Sequence, residues 1–239
     1  MLRIAGHEVR PGHRGELRVV VVATRPGGLG QVHAYLVADL LRRYAERSRL
    51  APSVIDFAPA DADGLRAACD ALNIHPPRHT LTEPFATAQL DGLFTDGSRM
   101  PVFDIGVRLP RPRATLEAGD ETLAVSWIDV PADGGELALG EEPLTVRLKL
   151  LGFAGDAAAT LGRWRAEVAK WAESPSGAMS RTYADALTAA FEDGLDTRAA
   201  LRVLTGLEAD DTVPDGVKFE TFAAADRLFG LDLARDIGK

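Results

Sequence analysis

A glycine-rich turn, Gly27-Gly28-Leu29-Gly30-Gln31, has the residue types and the position to bind a ligand. Free backbone N–H groups at the start of a helix, together with the positive end of the helix dipole, attract anions and nucleotides. We therefore take Gly27, Gly28, Gly30 and Gln31 as candidate nucleotide-binding residues. The spacing differs from both the G-x-G-x-x-G pattern and the phosphate loop, so glycines needed only for a tight turn remain the alternative.

The elements on either side of the turn would place it at the edge of a sheet. Leu17 to Ala23 is an almost wholly apolar, β-branched run, as expected of a strand covered on both faces of a parallel sheet. From Gln31 to Arg47, apolar residues recur every four positions and charged residues take the opposite side, which predicts an amphipathic helix laid on that sheet. Ser53 to Ala58, bounded by two prolines, predicts a second parallel strand.

The other polar residues that could bind a metal are weaker candidates than the glycine-rich turn. Asp61 and Asp63 precede an apolar run, where they would bind a metal or cap the following helix, and capping is the commoner role. His75 and His79 are four apart, but Pro76-Pro77 between them opposes the helix that would bring them together. The sequence therefore predicts no catalytic residue and no metal site.

Composition limits the classes of function. The chain has 239 residues and a net charge of -8, which opposes a large nucleic-acid surface and makes tRNA an unfavourable partner. No long apolar stretch and no leader are visible, so we expect a cytoplasmic protein without a membrane partner. The single cysteine, Cys69, excludes an intrachain disulfide and is expected in a helix core.

Beyond residue 80 the pattern changes from strands to helices. Apolar runs at 100–109 and 123–130 predict two further strands, separated by segments rich in glycine and proline. After residue 150, apolar stripes at helical spacing predict a set of packed helices, with the aromatic residues in the core (Leu161, Trp164, Val168, Trp171; Tyr183, Leu187, Phe191; Leu201, Leu204, Leu207; Phe219, Phe222, Phe229). The predicted class is α/β, with a helical second part.

Several segments together resemble one family. The turn and helix that contain Gly30, Asp39, Arg43 and Tyr44 resemble the first nucleotide-binding helix of class I aminoacyl-tRNA synthetases, specifically of cysteinyl-tRNA synthetase. Further resemblance lies in four later segments (70–78, 141–151, 191–204 and 218–233). It implies a shortened Rossmann-like (HUP-type) parallel-sheet domain at 1–140 and, at 141–239, an α-helical bundle like the anticodon-binding one.

The chain departs from the family where the family does its chemistry. Gly28 and Gln31 stand where the two histidines of the His-Ile-Gly-His signature belong, and no cysteine follows the first core strand. Residues 129–140 should carry the Lys-Met-Ser-Lys-Ser loop but contain no lysine. The resemblance therefore implies a paralogue that does not aminoacylate tRNA, lacks zinc, and binds ATP, AMP, an amino acid or a protein partner. A ligase that activates a different amino or carboxylic acid with ATP is the alternative.

Overall fold

The computed structural model describes residues 1–4, 6–9, 15–22, 29–57, 62–75, 77, 79–81, 103–108, 124–130 and 141–239. The chain divides into two compact units, Met1–Ala138 and Leu139–Lys239.

The first unit is built on a parallel sheet. Two short strands, β1 (Arg3–Ile4) and β2 (His7–Glu8), pair antiparallel ahead of it. The sheet strands and their helices follow in the order β3 (Glu16–Val22), α1 (Leu29–Arg47), β4 (Ala51–Phe57), α2 (Ala62–Ala71), β5 (His79–Leu81), β6 (Phe103–Arg108) and β7 (Ala124–Asp129). In space the five strands lie in the order β5-β4-β3-β6-β7, and all four pairings are parallel. The predicted α/β class is confirmed.

The central strand β3 explains why the sequence there is so apolar. Val19, Val20 and Val21 are fully buried, as expected of a strand with neighbours on both sides and cover on both faces. Helix α1 packs on β3, β4 and β6, and its buried apolar positions include Val32, Leu36 and Leu40. The period of four in the sequence is thus the face that meets the sheet.

The second sheet strand is longer than expected. Pro52 was predicted to bound the strand, but it lies inside β4, opposite Leu17 of β3. Proline is tolerated there because β5 pairs with β4 only from Ile55 onward, so no strand that the structure describes on that side needs the missing N–H of Pro52.

The second unit contains five described helices, α3 (Pro143–Leu150), α4 (Ala157–Trp171), α5 (Arg181–Glu192), α6 (Thr197–Ala209) and α7 (Asp215–Phe229). Asp156 and Asp196 accept hydrogen bonds from the backbone N–H groups of Ala159 and Ala199, and so cap α4 and α6. The ring of Phe222 packs edge-on against Trp164 and Trp171, with centroids 5.8 and 5.1 Å away. Among the described residues, no helix is long and apolar enough to cross a membrane.

Candidate functional site at the carboxyl edge of the sheet

The strand order defines one place where a ligand would be expected. From β3 the chain continues through α1 to β4 on one side, whereas β6 lies on the other side of β3. The connections therefore leave β3 and β6 in opposite directions, and a crevice is expected outside their carboxyl ends. Ligands of open α/β sheets bind in such crevices.

Helix α1 begins beside this crevice. Only six residues separate Val22, the last residue of β3, from Leu29, the first residue of α1. Of the predicted site residues, Gly30 and Gln31 lie in the first turn of α1, where both are buried and Gln31 is 3% exposed. Gly27 and Gly28 lie outside the described residues. Gly30 and Gln31 thus lie at the start of the helix that follows β3, and their part in ligand binding stays a prediction.

An arginine and an aspartate at the same edge were missed in the sequence. Arg108 ends β6, where it is the register partner of Val22 in β3 and of Asp129 in β7. Its Nε donates a hydrogen bond of 2.7 Å to Oδ1 of Asp129, and the two side chains are 20% and 55% exposed. The available signal was that each residue falls at the end of a predicted strand, but only the strand order makes them neighbours.

The charges at this edge favour an anionic ligand group. The first turn of a helix carries a partial positive charge, and arginine presents a planar set of donors that suits phosphate or carboxylate. Asp129 supplies an acceptor beside that cation, which would suit a hydroxyl or an ammonium group of the same ligand.

Asp39 and Arg43, the residues on which the resemblance drew, act elsewhere: Asp39 lies in the middle of α1 and Arg43 one turn further along the helix. The Asp39 carboxylate is fully buried and accepts from Nε of Arg43 at 2.7 Å and from Nη2 of Arg42 at 2.9 Å. Nη2 of Arg43 also donates to the carbonyl oxygen of Asn73 at 2.9 Å. These bonds fasten α1 to the segment that follows α2. Asp39 and Arg43 are therefore structural residues and lie away from the crevice.

His75 belongs to this same ionic cluster. Nη2 of Arg42 lies 2.8 Å from its Nδ1, whereas Oδ1 of Asp39 is 3.5 Å away. Since arginine can only donate, Nδ1 accepts and the ring is neutral. Burial lowers the pKa of His75 and Arg42 lowers it further, against the opposing pull of Asp39. The Arg42 contact is the shorter of the two and requires the neutral ring, so it outweighs the attraction of Asp39 for a proton.

In the second unit, the family-like segments contact one another. The Thr197 hydroxyl donates to the carbonyl oxygen of Leu151 at 2.7 Å. Nε of the fully buried Arg147 donates to the carbonyl oxygen of Phe229 at 2.5 Å. The segment 141–151 is thereby bonded to both 191–204 and 218–233, so each of these matches includes a residue that holds helices together.

The remaining candidates acquire no chemical role. Cys69 is 3% exposed in α2, as expected for a core residue. Asp61 lies outside the described residues, so the choice between capping and metal binding for the acidic pair stays a prediction. In the part of the chain that the structure describes, no three His, Cys, Asp or Glu side chains are grouped to hold a metal ion.

The fold and site define an α/β protein with a five-stranded parallel sheet in which the strand order reverses between β3 and β6, and β3 is the strand that leads into α1. No protein-family model matches the chain, and no curated protein matches it in sequence.

Proposed function

We propose that this chain is a degenerate, cysteinyl-tRNA synthetase-like protein that binds a nucleotide or aminoacyl nucleotide at the carboxyl edge of its sheet and does not aminoacylate tRNA. On this proposal the first unit is a shortened Rossmann-like domain of the HUP type. The five helices of the second unit correspond to the family's C-terminal bundle.

The observation that carries the binding proposal is the strand order. A sheet ordered β5-β4-β3-β6-β7, with α1 directly after the central strand, opens its crevice at the first turn of α1. The glycine-rich pattern and the sequence resemblance pointed to this turn, and the topology supplies a further reason for a ligand to bind there.

The contacts between family-like segments support the ancestry. Arg43 bonds to Asn73, Arg147 to Phe229 and Thr197 to Leu151, and each bond joins two separate matching segments. On the proposed ancestry, these are bonds that hold the shared fold together.

The missing side chains argue against adenylate chemistry. Preorganised donors around a reacting phosphate commonly supply the largest catalytic term, and losing one costs about a hundred- to a thousand-fold in rate. Here Gly28 and Gln31 replace both signature histidines, and no lysine stands between 129 and 140. Arg108 provides one cation at this edge, which suits binding better than the full set of contacts needed for adenylation.

The test is calorimetric titration of the whole protein with ATP, AMP and a nonhydrolysable cysteinyl adenylate, alongside pyrophosphate exchange with a panel of amino acids. We expect saturable binding of at least one nucleotide and no exchange. Exchange with any acid would replace the proposal by the ligase alternative, and no binding at all would refute nucleotide binding and direct the search to a protein partner.

A variant pair ties such binding to α1. Gln31→Glu keeps the side-chain shape but places a negative charge in the first turn, and should weaken AMP binding about tenfold by repelling the phosphate. Gln31→Met has similar length and no charge and should weaken it much less. Equal losses in both variants would mean that the charge at this turn does not matter. Thermal melts of both variants control for folding.

A further inference from the structure

We propose that Arg108 is the residue that binds the anionic group of the ligand, a phosphate or a carboxylate, and this inference rests on the binding site proposed above. Nothing in the sequence motif pointed to Arg108, because it lies about eighty residues beyond the glycine-rich turn.

The position of Arg108 in the sheet places it at the proposed crevice. Arg108 is the last residue of β6, and its register partner Val22 is the last residue of β3. These two strand ends form the sides of the crevice. Of these two described strand ends, β3 ends in the apolar Val22, whereas β6 ends in a cation.

The orientation of the Arg108 side chain also suits an anionic ligand. Residues paired across parallel strands lie on the same face of a sheet, so Arg108 shares a face with Val22 and Asp129. The 2.7 Å bond from Nε to Asp129 fixes the plane of the guanidinium. The side chain is 20% exposed, so it is mostly covered yet still reaches solvent at the edge. A cation that is fixed and largely shielded from water attracts an anion more strongly than a mobile surface cation.

The neighbouring carboxylate refines the ligand class. Asp129 lies beside Arg108 and is 55% exposed. The Asp129 carboxylate would repel a ligand that carried only an anionic group. A ligand with a hydroxyl or ammonium group near its anion would instead donate to Asp129 while accepting from Arg108. Nucleoside monophosphates and α-amino acids both have this pairing of groups.

The test compares ligands that differ only in the anion. AMP and adenosine differ by the phosphate, and L-cysteine and cysteamine differ by the carboxylate. Each is titrated against wild type, Arg108→Gln and Arg108→Lys by calorimetry. Arg47→Gln is the matched control, because it removes the same charge from an exposed position at the far end of α1.

We expect wild type to bind the anionic member of one pair at least about tenfold more tightly than its partner, and Arg108→Gln to abolish that preference. Arg108→Lys should retain part of it, since lysine keeps the charge but loses the planar donor set. Arg47→Gln should behave as wild type. The pair that responds identifies the anion as phosphate or carboxylate.

Two other outcomes are distinguishable. Ligand binding whose anion preference survives in Arg108→Gln would overturn the role of Arg108 and leave the proposed binding function standing. Failure of every ligand to bind wild type would overturn the proposed function, and this inference with it. Should Arg108→Gln not fold, as judged by its thermal melt, unchanged anion preference in Arg108→Lys would overturn the inference and a partial loss would support it.

Discussion

At the scale of single residues, Asp39 is the best example of a family-like residue with a structural role. Its carboxylate is fully buried between two arginines and also accepts from the backbone N–H of His75 at 3.3 Å. The sequence shows the two arginines close to Asp39, but it does not show that the carboxylate is buried. The burial depends on the segment at His75, which lies more than thirty residues away.

Replacing Asp39 should therefore destabilise the protein strongly. Asp39→Asn keeps the shape but removes the charge that offsets Arg42 and Arg43, and breaking such a buried pair costs about 3 kcal/mol. Urea denaturation measures the loss. Glu46→Gln is the control, since Glu46 is half-exposed and bonds the same Arg42, and its removal should cost less than about 1 kcal/mol. Equal losses in the two variants would show that burial of Asp39 is unimportant.

His75 should make stability depend on pH. Burial and Arg42 lower its pKa below the ordinary value of 6.5, so the unfolded chain takes up a proton at a higher pH than the folded chain does. The contribution of His75 to stability is therefore complete above about pH 6.5 and declines as the pH falls toward the lower folded pKa.

The variant His75→Gln isolates this contribution. It cannot take up a proton, so its urea midpoint should fall less than that of wild type between pH 7.5 and pH 5.5. The other four histidines remain and cancel in the comparison. The effect should be modest because the ring is 55% exposed. A steeper fall in the variant would mean that protonated His75 is stabilised by Asp39 instead.

At the scale of elements, the sequence predicted the helices and strands whose patterns lie within one short segment of the chain. The β3 strand and the α1 helix are strongly patterned over seven and nineteen residues, and the structure has both within a few residues of the predicted bounds. The strand order could not be predicted in this way. The strands β3 and β6 are separated by some eighty residues in the sequence, and no periodic pattern shows that they pair. Arg108 was missed for this reason, and Pro52 was misjudged because its tolerance depends on how far β5 extends.

Gly216 and Gly206 both lie in helices but differ in the space beside them. A Cβ added at Gly216, in the first turn of α7, would lie 2.0 Å from the carbonyl oxygen of Pro175. The same addition at Gly206, on the exposed side of α6, would meet nothing within 4 Å. Gly216 is therefore a close contact between α7 and the loop that joins α4 to α5, whereas Gly206 costs α6 stability for no packing reason.

Alanine substitutions at the two positions should have opposite signs. Gly216→Ala must displace backbone, and such overpacking costs about 1–3 kcal/mol. Gly206→Ala should stabilise the protein by about 0.5–1 kcal/mol, since alanine is the better helix former. Urea denaturation of both variants measures the difference. A neutral Gly216→Ala would mean that the loop at Pro175 gives way freely.

At the scale of the whole molecule, the charge of the chain opposes binding to tRNA. The net charge is -8, and residues 151–239 carry ten Lys and Arg against fifteen Asp and Glu. In the second unit several of the more exposed basic side chains are already paired with carboxylates: Lys149 with Glu141, Arg163 with Glu208, Lys170 with Glu167, Arg235 with Glu142 and Lys239 with Asp236. A phosphate backbone approaching these residues would have to compete with an attached carboxylate.

We therefore predict no saturable tRNA binding at about 0.15 M salt, a concentration that already screens exposed charges beyond roughly 8 Å. Any complex seen at low salt should dissociate steeply as salt rises, because its affinity would come from counterion release alone. Filter binding across a salt series measures this, with AMP titrated on the same preparation as a check on the proposed nucleotide site. Tight tRNA binding at 0.15 M would require a basic surface that the overall charge conceals. The chain would then be a tRNA-binding protein that had lost only its adenylation chemistry.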